Sequence, residues 1–339
     1  MKKGSFYYEM AKKMPRVSMG PKLWNYLMYR LLPRRAVQSV RRYTPQIASL
    51  VLTSRCNLNC SYCHYGKILS KGKKSEPENE ATLEKIKRIF SNPWFANIIL
   101  VDLIGGEPLL VKELDRIIVY LKHQGRFTHT STNGLLLADR ILDLKRAGIS
   151  RVNVSLYDSN RPILERNLAA INKIFPVHTS CVLLRSDLEK RQEKLFEMVR
   201  FVREEGCLSL RFFMYQPMGI APRLEEVVFD SEPALWEFRR RVEDAFPGFC
   251  FFPPAAKRRG AEKRCSQLWQ RIACDMSGRM LVCCGIDTLL EGPGSNLFED
   301  GLAVYNHPTM MAMRKKLSDP HSGPPEVCNN CFLLGDPGW

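Results

Sequence analysis

The chain has 339 residues and a formal net charge of +16, from 51 Lys and Arg against 35 Asp and Glu. Its 45% hydrophobic content is ordinary for a globular protein, and its length allows a substantial core with two domains expected. No run of about 18 apolar residues spans a membrane, and no secretory leader is seen. The twelve cysteines are therefore expected in a reducing cytoplasm as metal ligands rather than disulfides.

Charge is concentrated at the start. The first 42 residues hold Lys2, Lys3, Lys12, Lys13, Arg16, Lys22, Arg30, Arg34, Arg35, Arg41 and Arg42 against Glu9 alone. Leu23, Trp24, Tyr26, Leu27, Met28, Leu31 and Leu32 are interleaved with them. Such a basic, aromatic-bearing helix suits an anionic membrane surface or an acidic partner. The competing expectation packs it across the open side of a barrel with its basic face in solvent. Residues 1–46 are read as a basic N-terminal extension.

An apolar run, Ile47 to Leu52, leads into Cys56-Asn57-Leu58-Asn59-Cys60-Ser61-Tyr62-Cys63. The C-x3-C-x2-C spacing offers three thiolates from one loop, whereas ferredoxin-type clusters use four. Three leave one iron of a four-iron cluster open to a cofactor. Zinc on these cysteines plus His64 is the alternative, although adjacent Cys63 and His64 would strain to reach one small ion. The run Asn97 to Ile104 then ends in Gly105-Gly106-Glu107-Pro108, where two glycines allow close backbone approach to a ligand. Ser131-Thr132-Asn133-Gly134 ends a third strand, Val152 to Leu156 forms a fourth, and Leu210-Arg211-Phe212-Phe213 runs to Gln216-Pro217-Met218-Gly219.

Together these motifs resemble the radical S-adenosylmethionine (SAM) superfamily. The resemblance implies a [4Fe–4S] cluster on Cys56, Cys60 and Cys63 whose open iron holds SAM, and reductive cleavage of SAM to a 5'-deoxyadenosyl radical. It implies SAM contacts from Tyr62, Gly105, Gly106, Glu107, Ser131, Asn133, Ser155, Arg185 and Gln216, and an electron donor such as flavodoxin or ferredoxin. One departure stands out: the family's Ser-Leu-Asp is Ser155-Leu156-Tyr157 here, with Asp158 next.

Strands are read near 47–52, 97–104, 127–131, 151–157, 177–184 and 208–215. Helices are read over Thr82–Phe90, Lys112–His123, Ala138–Ala147, Ile163–Ile174, Leu188–Glu205 and Glu232–Phe246. Alternation of strand and helix makes βαβ units and a parallel sheet. The expected fold class is α/β, a partial (β/α)6 TIM-like barrel over 47–222, with ligands at the C-terminal strand ends. Residues 223–262 read as a linker with one helix.

Residues 263–339 form a cysteine-rich C-terminal unit. Asp275 to Val282 reads as a hairpin between Cys274 and Cys283, and Cys328-x2-Cys331 closes the series. Gly278 followed by four residues and Cys283 resembles the twitch/SPASM extension of radical SAM enzymes. That resemblance implies one auxiliary [4Fe–4S] cluster on Cys265, Cys283, Cys328 and Cys331, with Cys274 or Cys284 as substitutes. A zinc site is the alternative, since four thiolates suit either metal. Among the other cysteines, Cys250 is the preferred donor of a hydrogen atom to a substrate radical, and Cys181 is expected to face the barrel interior.

The expected function is hydrogen abstraction from a sugar- or aminocyclitol-type small molecule, giving oxidation or epimerisation. Alternatives are maturation of a ribosomal peptide and a non-catalytic metal protein that docks a membrane or polyanion. A molybdopterin-type GTP cyclase shares the Gly-Gly-Glu-Pro pattern but differs in its C-terminal cysteines and in paired C-terminal glycines missing here. No nucleic-acid module is recognised. The expected location is cytoplasmic, with peripheral membrane attachment through the basic arm.

Overall fold

The computed structural model describes residues 19–31, 45–60, 63, 80–217, 223–256, 265–283, 286–329, 331 and 334. Tyr62, His64 and Cys284 lie outside the described residues. The chain begins with helix α1 (Met19–Leu31) and strand β1 (Ile47–Val51), followed by α2 (Leu83–Phe90), β2 (Leu100–Ile104), α3 (Leu114–His123) and β3 (Phe127–Thr132). Next come α4 (Leu137–Ala147), β4 (Arg151–Ser155), α5 (Arg161–Ile174), β5 (His178–Leu183), α6 (Arg185–Lys190), α7 (Gln192–Glu204) and β6 (Leu210–Met214). All six expected strands are present.

The helices bury residues at spacings of three and four, the signature of a one-sided apolar stripe. Leu114, Ile117, Ile118 and Leu121 do so in α3, and Leu164, Leu168 and Ile171 in α5. These stripes close on alternate strand residues, among them Leu50, Leu103, Val152, Val154 and Phe212, in one core. The opposite parity of each strand faces the barrel interior. Helix α4 ends as its sequence implies: Lys145 and Arg146 in the last turn, then Gly148 at φ +85° donating its N–H to Leu144 O.

The expected helix Leu188–Glu205 is instead two helices, broken at Arg191. Arg191 leaves helical geometry at φ −134° and ion-pairs with Asp158 and Asp187. No proline or glycine marks this break, so periodicity alone runs through it.

Residues 223–256 supply α8 (Pro233–Ala245) and a short strand β7 (Cys250–Phe251) parallel to β6. The C-terminal region supplies α9 (Gln267–Gln270), β8 (Arg271–Asp275), β9 (Met280–Cys283), β10 (Ile286–Leu289), α10 (Leu297–Asp300) and α11 (Pro308–Ser318). Strands β8 and β9 form the expected hairpin. Strand β8 also runs parallel to β1, with Ile47 opposite Arg271 and Val51 opposite Asp275. The sheet therefore has the linear order β10-β9-β8-β1-β2-β3-β4-β5-β6-β7 and is an open, partial TIM-like barrel.

Helix α1 is not at the mouth of this barrel. Lys22 Nζ donates to Gly125 O at 2.6 Å, just past the carbonyl end of α3, and the helix packs on residues 93–97. Both lie where β2 and β3 begin, opposite the ends that carry the cysteine loop. Fixing α1 there gives the carbonyls of Gln124 and Gly125, in the turn after α3, a charged donor.

Candidate functional site

The cysteine loop leaves the C-terminal end of β1 and is spliced to the loop after β2. Leu52 N donates to Ile104 O (2.7 Å), Gly106 N to Thr53 O (2.8 Å) and Glu107 N to Arg55 O (2.8 Å). Gly105 has φ +135°, and an ideal Cβ there would lie 2.7 Å from Thr53 O. At Gly106 it would lie 2.2 Å from Arg55 O. The two glycines are thus required by the backbone of the cysteine loop itself.

Glu107 is fully buried, and its carboxylate accepts from Leu109 N (3.0 Å), Thr132 Oγ1 (2.7 Å) and Asn133 N (2.8 Å). Burial pushes this carboxyl up, against three hydrogen bonds that hold the charged form. It ties the Gly-Gly loop to the end of β3. Asn133 in turn donates from Nδ2 to Asn57 Oδ1 (2.7 Å) and lies 3.9 Å from Cys56 Sγ. Three strand ends therefore hold one loop.

Within that loop Cys63 N donates to Cys60 O at 3.1 Å, and Cys56 is the exposed member. Burial first, then the neighbouring Cys63 and Cys56 sulfurs, push the Cys60 thiol up to about 11. Cys56 is raised for the same reasons, with Glu107 adding to the effect. Sulfurs that oppose one another's ionisation fit a cationic metal centre, which binds thiolates outright. Among the described residues no three His, Cys, Asp or Glu groups gather tightly enough for a single metal ion.

Ser131 and Ser155 lie at the C-terminal ends of β3 and β4. Two neighbours matter that sequence reasoning missed. Tyr157, in the place of the family's aspartate, hydrogen-bonds Ser155 and lies within electrostatic reach of Cys60 and Cys63; burial raises its phenol. Asn160, fully buried, donates from Nδ2 to Asn133 O (2.6 Å) and Ser155 O (2.7 Å) and accepts from Tyr157 N (2.8 Å). Its place just before Arg161-Pro162, at a helix start, was the available signal. Asp158 is on the surface, paired with Arg191 (2.7 Å) and Lys194 (2.9 Å).

Gln216, just past β6, has a buried side-chain carbonyl with no hydrogen-bond partner. This orphaned acceptor at the barrel mouth fits a nucleoside amine. Arg185 opens α6 past the end of β5, and its guanidinium pairs with Glu189 (3.1 Å) and Glu232 (3.7 Å).

Below the mouth, the interior carries a charged belt. Asp102 accepts from Ser49 Oγ (3.3 Å), meets His129 Nδ1 at 3.0 Å and is ion-paired with Arg271. Burial would raise its carboxyl, but Arg271 and His129 hold it well below the usual carboxylate range. His178 meets Ser209 Oγ at 2.7 Å. Burial, with Arg151, His129 and Arg211 nearby, lowers its imidazole to about 3, so it is neutral. Among the described residues of this belt, three arginines stand against one carboxylate.

The cysteines considered as hydrogen donors turn away from this interior. Cys250 is in register with Leu210 and Cys181 with Phe212, both on the helix-facing side, and all four pack with the helix-side core. Parity explains this: parallel partners in register share a face. Cys181 therefore does not face the barrel interior as expected.

Of the second cysteine group, Cys328 and Cys265 lie within electrostatic reach, burial raising the Cys328 thiol to about 12. Cys331 N donates to Cys328 O at 3.1 Å, and Cys283 ends β9. Cys274 is fully buried, in register with Leu50 on the helix-facing side of β8.

Comparison with known proteins adds the following. Residues 50–214 match the family model described as Radical SAM superfamily. A probable GTP 3',8-cyclase of Methanothermobacter marburgensis is 32% identical over 173 residues, 46% of this chain and 53% of its own length. That of Methanococcus maripaludis is 36% identical over 132 residues, 38% of this chain and 42% of its own. The chain thus spans about half the length of the curated relatives it matches. Among solved structures, Streptococcus suis SuiB bound to its precursor peptide SuiA aligns at TM-score 0.64 and 16% identity, over 86% of this chain and 70% of that one. Polyhistidine-tagged anSMEcpe with bound AdoMet aligns at TM-score 0.59 and 17% identity, over 86% and 84%. Both likenesses concern the fold. The family match falls on the barrel and its cysteine loop, so residues 50–214 are a radical SAM domain.

Proposed function

We propose that this enzyme abstracts a hydrogen atom from a small anionic molecule and oxidises it, a phosphorylated sugar or aminocyclitol being the type that fits. The carrying observation is the cysteine loop, locked by Gly106, Glu107 and Asn133 above an interior belt rich in arginine. Cys56, Cys60 and Cys63 would hold a [4Fe–4S] cluster, which when bound would supply the one-electron reduction that cleaves SAM to methionine and a 5'-deoxyadenosyl radical. Glu107 and Asn160 hold the surrounding loops, and Ser155, Tyr157 and Gln216 stand at or just past the C-terminal ends of β4 and β6, on the side of the sheet that carries the cysteine loop. Gln216 offers its unpaired carbonyl to an amine of the bound nucleotide. Arg151, Arg211 and Arg271 favour an anionic substrate below it, since arginine stays charged and grips phosphate or carboxylate.

Oxidation is favoured over epimerisation because Cys181 and Cys250 are turned from the interior. Cys265, Cys283, Cys328 and Cys331 are proposed to hold an auxiliary cluster that accepts the second electron. The radical SAM domain is expected to draw its first electron from a flavodoxin or ferredoxin.

A second reading is cyclisation of a nucleotide, the activity named for the curated relatives and set aside above on the C-terminal cysteines. The same arginines favour it. Protein reconstituted with iron and sulfide under argon, reduced and given SAM, is expected to release 5'-deoxyadenosine, and Cys60→Ala to release none. Cleavage that survives Cys60→Ala would overturn the assignment. Turnover of GTP would select the second reading, and turnover of sugar phosphates the first.

A further inference from the structure

Helix α1 is amphipathic in the wrong sense for a helix packed on a core. At 100° per residue, Lys22 and Asn25, facing the protein, are 3% and 4% exposed. Leu23, Trp24, Leu27 and Leu31, covering about 100° of the opposite side, are 54%, 63%, 40% and 69% exposed. The helix cannot roll to hide this stripe. Lys22 Nζ is fixed to Gly125 O (2.6 Å) and Gln124 O (3.4 Å), and Met28 packs on the core at the flank.

Composition indicates what covers the stripe. Apart from buried Lys22, ten Lys and Arg lie in the first 42 residues on either side of or within the helix, against one acid. An apolar, Trp-bearing stripe in a segment this rich in cations matches an anionic bilayer, where stable attachment takes both insertion and charge. An acidic protein would answer the charge but leave the stripe's hydrophobicity unexplained.

We propose that α1 attaches this enzyme to an anionic membrane surface, inserting Leu23, Trp24, Leu27 and Leu31 at the headgroup boundary. Because α1 lies at the end where β2 and β3 begin, the mouth that bears the cysteine loop faces the aqueous phase. The enzyme sits on the membrane and draws substrate from solution.

Co-sedimentation of the full chain with vesicles tests this. Vesicles of phosphatidylcholine with about one-third phosphatidylglycerol are expected to pellet the protein, and pure phosphatidylcholine vesicles to leave it in the supernatant. The double variant Trp24→Glu/Leu27→Glu is expected to bind at least ~10-fold more weakly. Its thermal midpoint should be unchanged, since both side chains are exposed. Failure of the parent chain to pellet would overturn the proposal. So would equal binding by the double variant, which would mean charge alone. So would a dimer that the double variant turns into a monomer, which would mean that a second copy covers the stripe.

Discussion

Gly106→Ala is the sharpest probe of how the cysteine loop is held. The new methyl carbon would start 2.2 Å from Arg55 O and 2.7 Å from the Arg55 carbonyl carbon. A carbon and a carbonyl oxygen normally approach no closer than about 3.3 Å, so the two loops must separate by about 1 Å. That motion stretches the Gly106–Thr53 and Glu107–Arg55 bonds, both 2.8 Å, past hydrogen-bond range. Two such bonds are worth about 1 kcal/mol each, and overpacking adds about 1–3 kcal/mol. At roughly 2 °C per kcal/mol for a chain this size, the thermal midpoint should fall by roughly 6–10 °C. A misplacement of about 1 Å at a reacting centre costs about 100-fold in rate, so 5'-deoxyadenosine formation should drop by that factor. Differential scanning calorimetry and chromatography of the quenched reaction measure the two. Gly323→Ala, where no atom lies within 4 Å of the new Cβ, is the control and should match the parent. A Gly106→Ala protein with parental midpoint, iron content and cleavage rate would refute the reasoning.

Glu107→Gln, though the same size, turns one carboxylate oxygen into a donor facing an N–H or O–H. It should cost about 1–3 kcal/mol in urea unfolding and lower cluster content after reconstitution. His178 makes stability depend on pH: its folded value of about 3 lies below the unfolded one of about 6.5. The unfolded chain therefore gains a proton first, and stability falls as pH drops from about 6.5 towards 3, by at most about 1.4 kcal/mol per pH unit. Replacing His178 with Gln should flatten that part of a stability-versus-pH curve. Asp102 acts lower, its depressed carboxyl losing its contribution only below about pH 4, and Asp102→Asn should remove that acid limb. Cys328→Ala, by breaking the auxiliary set, should halve the iron per chain while 5'-deoxyadenosine formation persists, as measured by colorimetric iron assay.

Strands β1, β2 and β6 were legible as short, mainly apolar runs, and β3 to β5 as segments rich in β-branched residues or alternating in polarity, each punctuated by turn residues or a helix. The cysteine loop was legible from spacing alone. Pairing of β8 beside β1 left no local sign, since parallel strands distant in sequence meet through register rather than through a turn. The side on which α1 lies was hidden for a different reason. An apolar stripe is normally read as the buried face, whereas here a single lysine bonded to a helix end reverses the choice. Tyr157 read only as a deviation from the family pattern; its proximity to Cys60 and Cys63 exists only once β4 and β1 stand in one sheet. The break at Arg191 arises from ion pairs to Asp158 and Asp187, which no periodicity encodes.

The parallel pairing of β8 with β1 has a consequence for biosynthesis. When β1 to β7 have left the ribosome, the β1 flank has no neighbour until residues 271–275 emerge. For that interval the nascent chain carries a bare strand border, the kind of surface on which stray chains pair. Asp102 meanwhile waits for the guanidinium of Arg271, 169 positions downstream, and a half-buried carboxylate lacking its counter-charge weakens whatever has already formed. Translation speed through the final third, or a chaperone that shields the first strand, would thus govern the yield of native protein.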